Sequence, residues 1–269
     1  MLRMALALSL SLLAASPLEA ASVGDLAIHS TVHGQGPRTV IFVHGWTCDE
    51  SSWAAQVAAL ERDYRVVTLD LPGHGRSDAP APDQFSMELF AQAVEAVRAE
   101  VGADKVVLVG HSMGGPVIRQ YALDHPEHVA GLVAVDGQLD MRPLAAVRGL
   151  PTPTREMRAT MIGTMFGPTT SPELQAQIRT MMMGASDATA AGAMAAMFDP
   201  SNQSEQKIMA PALTIFAGTS RFASDQSTRE VVPNWTSEQF AGTGHFVMME
   251  QPDKFNAALR AFLEQRARF

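Results

Sequence analysis

Lys105-Val106-Val107-Leu108-Val109-Gly110-His111-Ser112-Met113-Gly114 is the stretch on which the reading of this chain turns. Lys105–Val109 reads as a strand covered on both faces, because its apolar residues run without alternation. Met113–Leu123 reads as a helix. Between them, Gly110–Gly114 matches G-x-S-x-G. By composition alone such a pentapeptide arises in about one chain in ten of this length. The strand before it and the helix after it make it specific. A serine on so sharp a turn is forced into strained backbone angles. Glycines two residues away on either side relieve the crowding, and the hydroxyl stands clear of the sheet. The helix N-terminus just beyond favours developing negative charge.

The same rhythm extends in both directions. Upstream, Leu26, Ile28, Ser30 and Val32 alternate as in one half-buried strand. After a turn at Gly34–Pro37, Thr39–Val43 and Arg65–Leu69 are buried strands around an Ala-rich helix at Ser51–Leu60. Met87, Phe90, Val94, Val97 and Val101 recur at helical spacing behind Ser86, a suitable N-cap. Downstream, Val129–Val135, Leu213–Ala217 and Glu238–Phe240 are strands, and a closing helix aligns Phe255, Leu259, Phe262 and Leu263. Repeated β-α-β order predicts an α/β fold, a mostly parallel, doubly wound sheet with helices on both faces. Ligands of such sheets bind at the carboxyl ends of the strands. Residues 138–209 break the rhythm. They show no strand pattern, and Pro143, Pro151, Pro153, Pro168 and Pro172 punctuate short helices. They also hold ten of the 16 methionines. The expectation is a helical cap insertion over the carboxyl edge, between core segments 21–137 and 210–269.

The 269 residues carry 20 Lys and Arg against 28 Asp and Glu, a net charge of −8, with 46% aliphatic and aromatic residues. These figures exclude a disordered or fibrous chain. They oppose a nucleic-acid partner or an anionic membrane surface, both of which call for positive charge. Cys48 is the single cysteine, so no intrachain disulfide forms. Met1–Ala20 reads as a secretory signal peptide. Arg3 is its positive end, Met4–Ala15 its uncharged run, Ser16-Pro17 its break, and Ala20-Ala21-Ser22 offers small residues for cleavage. That run is too short for a bilayer, which takes about 20 residues. The expectation is export to the periplasm or the medium with no stable membrane anchor.

Four motifs in order carry a family resemblance. They are His44-Gly45-Trp46 after a strand, Asp70-Leu71-Pro72-Gly73-His74-Gly75-Arg76-Ser77, the turn around Ser112, and Gly242-Thr243-Gly244-His245-Phe246 before the last helix. With these the chain resembles the α/β-hydrolase fold family, in its serine-nucleophile branch with a helical cap. The resemblance implies Ser112 as nucleophile and His245 as the base that a weakly nucleophilic hydroxyl needs. It also implies an oxyanion hole made of the backbone N–H groups of Trp46 and Met113. His111 is then the variable residue of the turn, and His44 and His74 belong to structural loops. His125 and His128 sit at a helix exit, without the H-E-x-x-H helix of a metal site. Asp70 is taken as structural and Cys48 as a small buried residue.

The acid of the triad departs from the family pattern. The usual G-x-x-D reads Gly218-Thr219-Ser220-Arg221 here, with arginine in the acid's place. Asp136, at the end of the strand Val129–Val135, is the preferred substitute. Asp225, four residues beyond Arg221, is the alternative, and a chain with neither is the third case. The resemblance implies a hydrolase of small to medium apolar esters that works through an acyl-enzyme and uses no metal or organic cofactor. Lactone, amide, thioester and carbon–carbon cleavage and cofactor-free haloperoxidase-like activity share this apparatus. A degenerate small-molecule binder without turnover is the reading from another class. The oligomeric state is left open.

Overall fold

The computed structural model describes residues 21–147, 152–220 and 225–269. The expected signal segment, together with Arg221 and Phe222, lies outside them. Nine strands follow in order among the described residues: β1 (Ser22–Val23), β2 (Leu26–Ala27), β3 (Ser30–His33), β4 (Thr39–Val43), β5 (Arg65–Leu69), β6 (Val106–His111), β7 (Val129–Val135), β8 (Ala212–Ala217) and β9 (Trp235–Phe240). The helices of the core are α1 (Ala54–Leu60), α2 (Met87–Glu100) and α3 (Gly114–Asp124). Between β7 and β8 come α4 (Arg155–Gly163), α5 (Pro172–Gly184) and α6 (Asp187–Met197). The chain continues with α7 (Asp225–Val231), α8 (Val247–Glu250) and α9 (Pro252–Gln265).

Seven strands form one sheet in the order β3-β5-β4-β6-β7-β8-β9, parallel except for β3, which runs antiparallel to β5. Every residue of β4, β6, β7 and β8 is buried, as an unbroken apolar run requires when helices cover both faces. From β4 the chain steps outward to β5, then returns across β4 to β6. With right-handed crossovers this reversal puts α1 and α2 on opposite faces. Accordingly α2 packs on α3, while α1 packs on α8 and α9. Ser86 caps α2, its hydroxyl accepting from the Leu89 N–H at 3.0 Å. The stripe expected on the last helix is buried in α9.

Three expectations need correction. Leu26–Val32 is not one strand. β2 pairs with β1 and β3 with β5, because the intervening backbone is engaged by side chains. Asp78 Oδ2 accepts from the Ala27 N–H, and Ser77 Oγ from the His29 N–H. The helix expected over Ser51–Leu60 opens with a 3-10 turn, Glu50–Trp53, capped by Asp49, before α1 begins. β9 is six residues long rather than the expected Glu238–Phe240. As an edge strand it keeps polar residues on its wet face.

Between β7 and β8 the described residues form helices and turns without a strand. This segment meets the loops at the sheet's carboxyl edge. The Trp46 indole N–H donates to the Ala190 carbonyl at 2.8 Å, and the Thr189 hydroxyl to the Gly73 carbonyl at 2.9 Å. Its return to the core is tied to α3 by buried Arg119, which donates to the carbonyls of Asn202 and Ser204.

The β6–α3 turn depends on two backbone-to-backbone approaches. A Cβ on Gly110 would stand 2.2 Å from the Gly114 carbonyl oxygen, and one on Gly114 would stand 2.5 Å from that of Val43. Backbone cannot yield as a flexible side chain can. Gly114→Ala is expected to lower the unfolding free energy by about 3 kcal/mol or more. Gly184→Ala, with nothing within 4 Å of its Cβ, should stay within about 0.5 kcal/mol of the parent. Urea titration of both variants checks this; equal midpoints would refute the packing argument.

Candidate active site

Three described non-glycine residues have positive φ: Thr47 at 56°, Ser112 at 52° and Asp136 at 43°. Each follows a strand end on the same edge of the sheet, those of β4, β6 and β7. A side chain in this region costs roughly 1–2 kcal/mol, so the neighbours must hold it there. The Ser112 N–H donates to the Val135 carbonyl at 2.9 Å, and the Gly115 N–H returns to the Ser112 carbonyl at 2.9 Å. The Asp136 N–H donates to the Ile215 carbonyl at 2.8 Å. Gly137 leaves room for the Ser112 carbonyl, which would lie 2.6 Å from a Cβ there.

Asp136 and His245, 109 positions apart, are joined. His245 Nδ1–H donates to Asp136 Oδ2 at 2.6 Å. The other carboxylate oxygen accepts from the Ala217 N–H at 3.1 Å. Burial by itself pushes the Asp136 carboxyl up. The hydrogen bond and charge of His245, with hydrogen bonds from the Ser220 hydroxyl and Ala217, outweigh it and hold the group below the usual carboxylate range. Gly218-Thr219-Ser220 therefore still serves the acid, through a hydroxyl rather than a carboxylate. Asp225 is the first residue of α7, and its side chain lies outside the described set.

His245 reaches the Ser112 turn through His111. The His111 Nε2–H donates to the His245 carbonyl at 2.9 Å, and the two rings lie 4.7 Å apart. The His44–Trp46 loop closes the other side. A Cβ on Gly45 would come within 3.2 Å of Ser112 Cβ and 2.8 Å of His111 Nδ1. The Ser112 hydroxyl makes no hydrogen bond among the described residues. The N–H groups of Trp46 and Met113 likewise have no described acceptor. Met113 follows Ser112 in the turn after β6, and Trp46 lies on the loop after β4, whose Gly45 borders Ser112.

The remaining histidines take other roles. His44 is buried, its Nδ1–H donating to the Gly45 carbonyl and its Nε2 accepting from the Leu71 N–H. His74 packs against it, ring centroids 5.0 Å apart. His125 and His128 follow α3, at the end remote from Ser112. Asp70 is structural: its carboxylate accepts from the N–H groups of Glu50 and Arg76. Burial pushes the Cys48 thiol up, which keeps it inert. Residues 38–161 match the sequence pattern described as the alpha/beta hydrolase fold.

The chain belongs to the alpha/beta hydrolase fold family.

Among its relatives is the dihydrolipoyllysine-residue acetyltransferase component of the acetoin cleaving system of Cupriavidus necator. It is 30% identical over 264 residues, covering 93% of this chain and 70% of that protein. A 2-hydroxy-6-oxononadienedioate/2-hydroxy-6-oxononatrienedioate hydrolase of Dechloromonas aromatica is 29% identical over 263 residues, 89% of this chain and 91% of that one. A thermophilic esterase from Thermogutta terrifontis, solved with malate bound, superposes with a TM-score of 0.76 at 24% identity, over 89% and 94% of the two chains. Taken with relatives named as hydrolases, the family membership makes this chain a hydrolase enzyme.

Sequence reasoning missed three features of this site in an α/β hydrolase. His111 reads from the sequence as the variable residue of the turn, yet in the structure it bonds the His245 backbone. Ser220 supports Asp136. The Met165–Thr170 loop between α4 and α5 touches the His245 loop, and only the Gly167-Pro168 pair marks that turn in the sequence.

The buried histidines set a pH dependence. Burial, aided by the charge of His44, pushes His74 down to about 3. Burial, then repulsion from His245, pushes His111 down to about 3. The unfolded chain binds these protons near pH 6.5, whereas the folded chain does not bind them until about pH 3. Stability is therefore full above pH 6.5 and falls as pH drops through that window, by about 2 kcal/mol per histidine between pH 7.5 and 5. Asp136, whose carboxyl is held down, loses its contribution only below the carboxylate range. Urea unfolding at pH 7.5 and 5 checks this, and equal stabilities would refute it.

Proposed function

We propose that this hydrolase cleaves carboxylic esters of small to medium apolar substrates through an acyl-enzyme on Ser112. The carrying observation is the 2.6 Å bond between His245 Nδ1 and Asp136 Oδ2, at the edge where Ser112 stands in a strained, left-handed backbone. Strain retained at one sheet edge and nowhere else among the described non-glycine residues points to function.

In this mechanism Ser112 Oγ attacks the ester carbonyl while His245 Nε2 takes its proton. Asp136 keeps the other ring nitrogen protonated and stabilises the imidazolium. The N–H groups of Trp46 and Met113 take up the charge on the carbonyl oxygen. His245 returns the proton to the departing alkoxide. It then draws a proton from water, whose oxygen attacks the acyl-enzyme, and gives that proton back to Ser112 as the acid leaves. Every step uses groups of this chain.

Apolar substrates are supported by the partly buried Met161, Met165, Met181, Met183 and Met197, which pack against the core from the insertion. Methionine fits irregular apolar outlines. The oxononadienedioate hydrolase named above acts, by its name, on a substrate with two carboxylates. Among the described residues, the guanidinium groups of Arg119, Arg142 and Arg158 are engaged by protein carbonyls or carboxylates. The Met1–Ala20 pattern supports export to the periplasm or the medium.

A short-chain nitrophenyl ester and a fluorophosphonate probe test this reading. Ser112→Ala should abolish both turnover and labelling. Asp136→Asn should lower kcat by about 10⁴-fold, while Asp225→Asn stays close to wild type. The reverse ranking would overturn the assignment of the acid. Wild-type and Ser112→Ala rates that coincide would sink the mechanism. Intact mass of the labelled protein, recovered from cells, reads the signal cleavage in the same experiment.

A further inference from the structure

His245 is held by its backbone from two sides. Its carbonyl accepts from His111, as described. Its N–H donates to the Met165 carbonyl at 2.7 Å, and Met165 belongs to the insertion. The contact continues along that loop. The Thr169 hydroxyl donates to the Gly242 carbonyl at 2.9 Å, and the Gly167 N–H donates to Thr170 Oγ1 at 2.8 Å, stiffening the turn. Gly167 and Gly244 lie backbone against backbone. A Cβ on Gly167 would stand 2.2 Å from the Gly244 nitrogen. One on Gly244 would stand 2.2 Å from the Gly167 nitrogen and 2.4 Å from the Met165 carbonyl oxygen. Glycine is needed at both places for this approach.

The far side of the His245 loop is fixed to the core. The Gly244 N–H donates to Glu250 Oε2 at 2.8 Å, and the Thr243 hydroxyl to the Phe240 carbonyl at 2.7 Å. The Gly218 N–H donates to Thr243 Oγ1 at 3.1 Å. The loop is therefore clasped between the sheet and the insertion. The imidazole projects from a peptide unit with both polar groups committed.

We propose that the Met165–Thr170 loop is a positioning clamp for the base, so that the insertion aligns His245 with Ser112. This rests on the assignment of His245 as base. Met165 and Gly167 act through His245 and are positioning residues. A swing of the insertion at this loop would break the His245 N–H bond to the Met165 carbonyl.

Gly167→Ala and Thr169→Val test the clamp, with Gly184→Ala as a control elsewhere in the insertion. Turnover of the nitrophenyl ester is measured against pH, with circular dichroism to establish folding. Gly167→Ala forces the two loops apart, and kcat should fall about 10–100-fold, the scale of a misplacement near 1 Å. KM should stay nearly constant. The acidic limb of kcat/KM, which reports the free enzyme's base, should shift. Thr169→Val removes one exposed hydrogen bond and should show a smaller loss of the same kind; it decides the matter if Gly167→Ala does not fold. Folded variants with wild-type kcat and pH profile overturn the clamp, as does a loss carried wholly by KM. Fluorophosphonate labelling separates the levels. A Ser112 adduct in wild type with unaffected variants overturns the clamp alone, and no adduct in wild type overturns it together with the assignment beneath it.

Discussion

His111, Val135 and Ile215 stand abreast on three adjacent parallel strands, β6, β7 and β8. Neighbouring strands lie about 4.8 Å apart. The residues that follow the first two, Ser112 and Asp136, therefore leave the sheet side by side. Each is turned by a bond to the next strand, Ser112 to the Val135 carbonyl and Asp136 to the Ile215 carbonyl. A slip of one residue in either pairing would reverse which side chains face each helical layer. It would also carry the serine and the carboxylate to different heights. The apolar burial of the sheet thus enforces a register, and the register places the two groups. The left-handed backbone at both positions is tolerated because strand hydrogen bonds on either side over-determine it.

Around that pair the environment is dry and deliberately unequal. His44, His74 and His111 are buried, and burial disfavours their charged forms. Asp136 is buried as deeply, yet it is surrounded by donors and keeps its negative charge. The negative charge closest to His245 is thus the one fixed to its Nδ1. His111 adds no positive charge beside it. A neutral neighbour leaves the proposed base free to take and return a proton without meeting a second imidazolium.

Much of this was legible in the sequence, and the limits are physical. Buried strands such as Thr39–Val43 announce themselves because both faces demand apolar side chains. The edge strand β9 announces itself only over Glu238–Phe240, since its exposed polar residues leave Trp235–Ser237 without a strand pattern. The break at Ile28 was hidden because residues some 50 positions away, Ser77 and Asp78, supply the partners that end the strand. Within the site, Ser112 and His245 could be read from local motifs. Asp136 required only the end of a strand, and the structure bonds it to His245. His111 could not be weighed, because its significance is a contact with a backbone carbonyl 134 positions on, and a carbonyl has no sequence signature.

The insertion shows the same limit most fully. Its methionines were conspicuous, but its attachment to the core runs through backbone atoms and small residues. Ala190 offers a carbonyl to Trp46, and Thr189 reaches the Gly73 carbonyl. Gly192 leaves space for the Phe85 ring, and Gly167 meets Gly244. These points touch the loops after β4, β5 and β9, all at the edge where Ser112 stands. Such anchoring constrains few side chains by chemistry and several by size. Between the anchors, Met161, Met181, Met183 and Met197 pack against the core as partly buried side chains. At Gly167 and Gly244 the spacing of the loops is set by contacts in which a single added methyl group would collide with backbone.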